Sequence, residues 1–236
     1  MPAAVLFDLG NTLAAYYHAN EFRPILAKSI AAVRNELARR GLCSVPLASA
    51  VNAAIDENRE APDHRFAPMV HRLERIFQVP LATDPLLATT VCKRFLEPIF
   101  AVGRVYNDTR PALARLRSRG VRTAIVSNAP WGSPPELWRD ELARLGLSAA
   151  VDAVVLCGDV GWRKPAQVIF NHAAARLGCL PSQCLFVGDD LRWDIEGSAS
   201  VGMRPVLIDR DARHPEYAGE RVADLHEVLA ALDAGA

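Results

Sequence analysis

Five short apolar, β-branched runs constrain this chain more than any other feature of it. They are Ala3–Phe7, Arg122–Val126, Ala153–Cys157, Cys184–Val187 and Pro205–Ile208. From the second run onward they alternate with helical patterns. Phe170, Ala173, Ala174 and Leu177 recur at i, i+3, i+4 and i+7, and Leu225, Val228, Leu229 and Leu232 share one face in the same way. Pro165 suits the first turn of the former helix and Gly178 its end. Strands joined through helices form a parallel sheet covered on both faces. The expected class is therefore α/β with a doubly wound parallel sheet, which binds ligands at the carboxyl ends of its strands.

One interval breaks the alternation. Between the first strand and Arg110, Leu26, Ile30, Val33 and Leu37 mark an amphipathic helix, and Val70, Leu73, Ile76 and Phe77 mark another. Leu87, Val91 and Phe95 suggest a third, and Val51, Ala54 and Ile55 a fourth. Proline and polar clusters near 44–46, 61–68 and 80–85 separate them. Residues 15–105 are expected to form a helical insert, with 1–14 and 106–236 making up the core.

Composition excludes several function classes. Half of the 236 residues are apolar and 23% are charged, as in an ordinary globular protein. Lys+Arg and Asp+Glu both number 27, so no general affinity for nucleic acid or anionic membrane is expected. No stretch approaches the roughly 20 apolar residues of a membrane helix. The first strand begins without a basic leader, and five scattered cysteines form neither a CxxC nor a zinc-type spacing. A cytoplasmic location with reduced thiols is the expectation.

Four strand ends carry conspicuous polar residues. The first run ends in Asp8, within FDLGNTL. The second leads into Ser127 and Asn128, the third into GDVGWRKP with Lys164, and the fourth into GDDLRWD with Asp189, Asp190 and Asp194. Singly these are turn residues, caps or exposed loops. A doubly wound sheet, however, brings its strand ends to one crevice. A carboxylate attacking phosphorus there must approach a dianion, so the repulsion has to be neutralised. Mg²⁺ held by Asp8 and Asp189 would do this. Ser127, Asn128, Lys164 and free backbone N–H groups would hold the phosphoryl oxygens. The intermediate would be an aspartyl phosphate.

These residues resemble the haloacid dehalogenase superfamily of hydrolases. Its first motif, D-x-D-x-T after an apolar strand, reads here Asp8-Leu9-Gly10-Asn11-Thr12. Its strand-ending Ser or Thr is Ser127 in IVSNAP, its lysine is Lys164 in GWRKP, and its GD-x-x-x-x-D runs from Gly188 to Asp194. The helical insert lies between the first two motifs, where a subgroup of the family carries its C1 cap. The resemblance implies a Rossmann-like core, Asp8 as nucleophile, and Mg²⁺ on Asp8, Asp189 and the Gly10 carbonyl. It also implies supporting roles for Thr12, Asp190 and Asp194.

The departure from the motif is Gly10. Family phosphatases place their general acid there, and glycine has no proton to give, which typically forfeits about 10²–10⁴-fold in rate. Substitutes could come from Tyr16, Tyr17, His18, His64 or His71. The expected function is a Mg²⁺-dependent phosphatase acting on a small phosphorylated metabolite. The alternatives are a metal-independent 2-haloacid dehalogenase, which also lacks the second acid, and a catalytically weak binding or regulatory protein. A phosphonate hydrolase would need a lysine in the insert, and nothing marks Lys28 or Lys93 for that role.

Overall fold

A computed structural model describes residues 1–234. Six strands, β1 (Ala4–Phe7), β4 (Arg122–Ser127), β5 (Ala153–Leu156), β6 (Cys184–Gly188), β7 (Arg204–Ile208) and β8 (Arg221–Val222), form one parallel sheet in the order β5-β4-β1-β6-β7-β8. Two short strands between β1 and β4, β2 (Ala14–Ala15) and β3 (Arg104–Val105), pair antiparallel. The expected runs are recovered to within one residue at each end. The third is shorter, because Cys157 opens a helix instead of closing the strand.

The chain leaves β1 on one side, toward β4 and β5, and returns on the other through β6 and β7. Phe7 pairs with both Ile125 and Val187. Asp8 is thus level with Val126 and Gly188, and Ser127 and Asp189 stand one position further along. Three chemically armed strand ends fall within one residue of a common level by register alone.

Helices cover both faces: α5 (Thr109–Ser118), α6 (Pro135–Arg144), α7 (Cys157–Val160), α8 (Gln167–Arg176), α9 (Gly197–Ala199) and α10 (Leu225–Ala234). Helix α8 begins after Pro165 rather than at it, with Ala166 extended as its N-cap. Gly178 does follow its end, at φ +63°. Before α9 the chain makes one π-helical stretch, Leu191–Glu196, a geometry often found at functional sites.

The four helices expected in the interval 15–105 all form: α1 (Phe22–Arg39), α2 (Leu47–Glu57), α3 (Met69–Phe77) and α4 (Pro85–Val102). Their apolar stripes converge, burying Leu26, Ile30, Val33 and Leu37 against α4, and Leu73, Ile76 and Phe77 beside them. Helix α4 starts crisply because Asp84 accepts from Leu86 N and Leu87 N while Pro85 supplies the first helical φ. The β2–β3 pair forms the neck through which these helices join the sheet. Tyr106 N and the Thr109 hydroxyl both bind Leu13 O there.

The segment between α2 and α3 is fastened to the strand-end loops. Arg65 forms an antiparallel bridge with Trp162, its guanidinium 4.7 Å from the indole centroid. Phe66 N donates to Gly161 O and Arg163 N to His64 O. Glu60 faces both Arg163, at 3.3 Å, and Arg192, at 3.9 Å. Gly132 shows how close the approach is. At φ +71° a Cβ there would lie 1.7 Å from Ala67 O, so only glycine fits. Its neighbour Trp131, also at positive φ, stacks on Phe95 of α4 with centroids 5.1 Å apart.

Candidate active site

Asp8 follows β1 and is 7% exposed. Its Oδ1 accepts from Lys164 Nζ at 2.6 Å and from the Ser127 hydroxyl at 3.2 Å. Lys164 reaches this point from the loop after α7 and is itself buried, and its Nζ also lies 2.6 Å from Asp194 Oδ1. Asp194 is positioned by the π-helical turn, and its Oδ2 accepts from Asp190 N. Gly188 permits this, because a Cβ there would lie 2.4 Å from the Asp194 carboxyl.

The Asn128 side chain clamps the lysine backbone: its Oδ1 accepts from Lys164 N at 2.9 Å and its Nδ2 donates one hydrogen to Lys164 O at 3.2 Å, which leaves the second amide hydrogen free. Asp190 caps the π-helical turn, accepting from Arg192 N and Trp193 N. Thr12 is fully buried with its hydroxyl unpartnered, while its carbonyl accepts from Arg210. Among the described residues, the N–H groups of Leu9, Gly10 and Asn128 donate to no backbone or side-chain acceptor. They lie at the carboxyl ends of β1 and β4, where an oxyanion would be received.

Asp189 is half-buried, and its Oδ2 accepts from Asn11 Nδ2 at 3.3 Å and Arg213 Nη2 at 3.0 Å. Neither donor has a role in the four motifs. Asn11 lies within the first motif at φ +56°, a region asparagine tolerates better than most residues. Arg213 belongs to the loop after β7, which carries no sequence signal for the site.

Ligand oxygens of Asp8, Asp189 and Asp194 lie within 4.8 Å of one another. Burial lowers the Lys164 pKa, but the attraction of Asp194 and Asp8 outweighs it and holds the pKa above its ordinary value. Lys164 and the exposed Arg213 together leave the three carboxylates one positive charge short. Burial, reinforced by Asp8, pushes Asp189 up to about 6. Burial also outweighs Lys164 and pushes Asp194 up to about 8. Among the described residues, no protein donor reaches Asp8 Oδ2 or Asp189 Oδ1, while both oxygens of Asp194 are engaged. The donor set fits a hard cation held by Asp8 and Asp189, with Asp194 behind Lys164.

A family model for haloacid dehalogenase-like hydrolases matches residues 2–202. The chain belongs to this family. Two relatives align over most of their length. Ribulose-1,5-bisphosphate 5-phosphatase of Halopiger xanaduensis is 32% identical over 212 residues, 89% of this chain and 85% of the relative. Glyceraldehyde 3-phosphate phosphatase of Methanothermobacter thermautotrophicus is 28% identical over 221 residues, 92% and 89% of the two chains. Among solved structures, a phosphatase of this family from Thermococcus onnurineus superposes with TM-score 0.70 at 26% identity, covering 97% of each chain.

The family's usual second acid is absent, and the residues considered as substitutes are placed as follows. His18 is exposed and faces Asp211 at 3.6 Å, and His71 is paired with Glu74 at 3.0 Å. His64 stands at φ +60° and contributes its carbonyl to Arg163. The Tyr16 hydroxyl is buried without a partner, and burial, with Glu141, holds the phenol protonated. Burial also raises Tyr17. Gly10 itself is not left-handed, and a Cβ there meets nothing within 4 Å. Among the described residues, no helix is long and apolar enough to cross a membrane, and all five cysteines are free thiols.

Proposed function

We propose that this chain is a Mg²⁺-dependent phosphatase of small phosphorylated metabolites, with Asp8 as nucleophile. The observation that carries the reading is the placement of Asp8: one oxygen is held by Lys164 and Ser127, and a second carboxylate, Asp189, lies alongside. Displacing halide from carbon gains nothing from a second anion beside the nucleophile. Attack on a phosphoryl dianion does, if the pair holds a cation. The phosphatase names of the aligned relatives support the same choice.

In this reading Asp8, Asp189 and the Gly10 carbonyl would hold Mg²⁺, whose charge would offset the repulsion between nucleophile and phosphate. Asp8 attacks phosphorus, and the substrate oxygen departs with the P–O bonding pair, leaving the phosphoryl group on the carboxylate. Lys164, Ser127 and the N–H groups of Leu9, Gly10 and Asn128 hold the phosphoryl oxygens. Water then cleaves the acyl phosphate and restores Asp8. The inserted helices act as a cap that closes over this crevice and keeps bulk water out. With no acid at position 10, leaving groups that need little protonation are favoured.

Hydrolysis of p-nitrophenyl phosphate with and without Mg²⁺ tests the reading. Metal-dependent phosphate release that is lost in Asp8→Asn is the expected result. Chloride release from 2-chloropropionate without metal, with no phosphate released from the ester, would replace it with a dehalogenase.

A further inference from the structure

We propose that Arg213 is a positioning residue that fixes Asp189 for cation binding. This rests on the metal-dependent reading above and adds a residue that none of the four motifs contains.

Arg213 and Asn11 both bind Asp189 Oδ2, so the carboxylate is gripped along one edge and Oδ1 is left without a protein donor. The loop that delivers Arg213 is built for the purpose. Asp209, 4% exposed at the end of β7, accepts from Arg213 N at 2.8 Å, His214 N at 2.9 Å and Arg221 Nη1 at 3.2 Å. Ala212 between them is held at φ +51°, a conformation that costs a residue with a Cβ. The turn brings the guanidinium to Asp189 at the end of the neighbouring strand β6.

Neighbouring arginines are committed elsewhere: Arg210 to Asp108 and the Thr12 carbonyl, Arg192 toward Glu60. Among the described residues, Arg213 is the one guanidinium bonded to Asp189. A surface ion pair of this kind adds little on its own. Here, however, the Asp189 side chain is only 15% exposed, while that of Arg213 is 47% exposed. The hydrogen bond from Arg213 Nη2 fixes the Oδ2 edge of this enclosed carboxylate and so sets its rotamer. Outer partners of metal-binding groups typically contribute about 10–100-fold to affinity.

The test measures Mn²⁺ binding by electron paramagnetic resonance, with Mg²⁺ competition, on wild type, Arg213→Gln, Arg213→Lys and Asp189→Ala. Arg213→Gln should weaken Mn²⁺ about 10–100-fold with an unchanged melting profile, and Arg213→Lys should recover part of the loss. Unchanged or tighter binding in Arg213→Gln, with wild type binding normally, would overturn the role of Arg213 alone. Wild type that binds no Mn²⁺, or Asp189→Ala that binds like wild type, would overturn the metal reading and this proposal with it.

Discussion

Lys164 Nζ lies 2.6 Å from Asp194 Oδ1, and both side chains are only 2% exposed. This pair is the buried foundation on which Asp8 rests. Lys164→Ala should cost about 3–5 kcal/mol, because removing one member of a buried pair strands the other charge. The loss should also depend on pH. Burial raises Asp194 above the carboxylate range. A raised acid favours the fold at low pH, where it is protonated, and disfavours it as pH rises through its folded pKa. Without Lys164 that effect strengthens. Urea unfolding should therefore show a smaller deficit at pH 5 than at pH 8, and an equal deficit at both would contradict the account.

Gly10→Asp should fold, since Gly10 is not left-handed and its Cβ direction is open. Rates on alkyl phosphates should rise, toward the roughly 10²–10⁴-fold that general acid help supplies. Rates on p-nitrophenyl phosphate should change little, because its leaving group needs no proton. A steady-state comparison of the two ester classes checks this, and an equal gain on both would count against it.

Legibility followed register. Asp8, Ser127 and Asp189 could be located because apolar strands of a parallel sheet end near one level, so the residue after each run is placed almost by counting. Lys164 and Asp194 lie a few residues beyond such ends, and motif spacing located them. Asn128 was in the right place, but its clamp on Lys164 depends on a contact between two loops. Arg213 was hidden because its position depends on Asp209 and on a left-handed alanine, neither of which leaves a periodic trace. The two-residue strands β2 and β3 were too short to announce themselves. Helix α8 begins beyond Pro165 because Ala166 is extended and caps it.

Gly132→Ala should be among the most damaging conservative changes outside the crevice. The added Cβ would meet Ala67 O at 1.7 Å, and φ is +71°. Overpacking of this kind costs about 1–3 kcal/mol, and the left-handed backbone adds to it. Hydrogen exchange should quicken in 58–68, the segment fastened to the strand-end loops, more than in the sheet. Uniform protection across both would mean that the segment is not pinned by this contact.

If a phosphoryl group passes through Asp8, wild-type enzyme mixed with Mg²⁺ and a radiolabelled acyl phosphate, quenched in acid within the first turnover and digested, should yield a labelled peptide containing Asp8. The label should be alkali-labile, as an acyl phosphate is, and absent from Asp8→Asn. Label on another residue, or phosphate release at full rate in Asp8→Asn, would contradict the account.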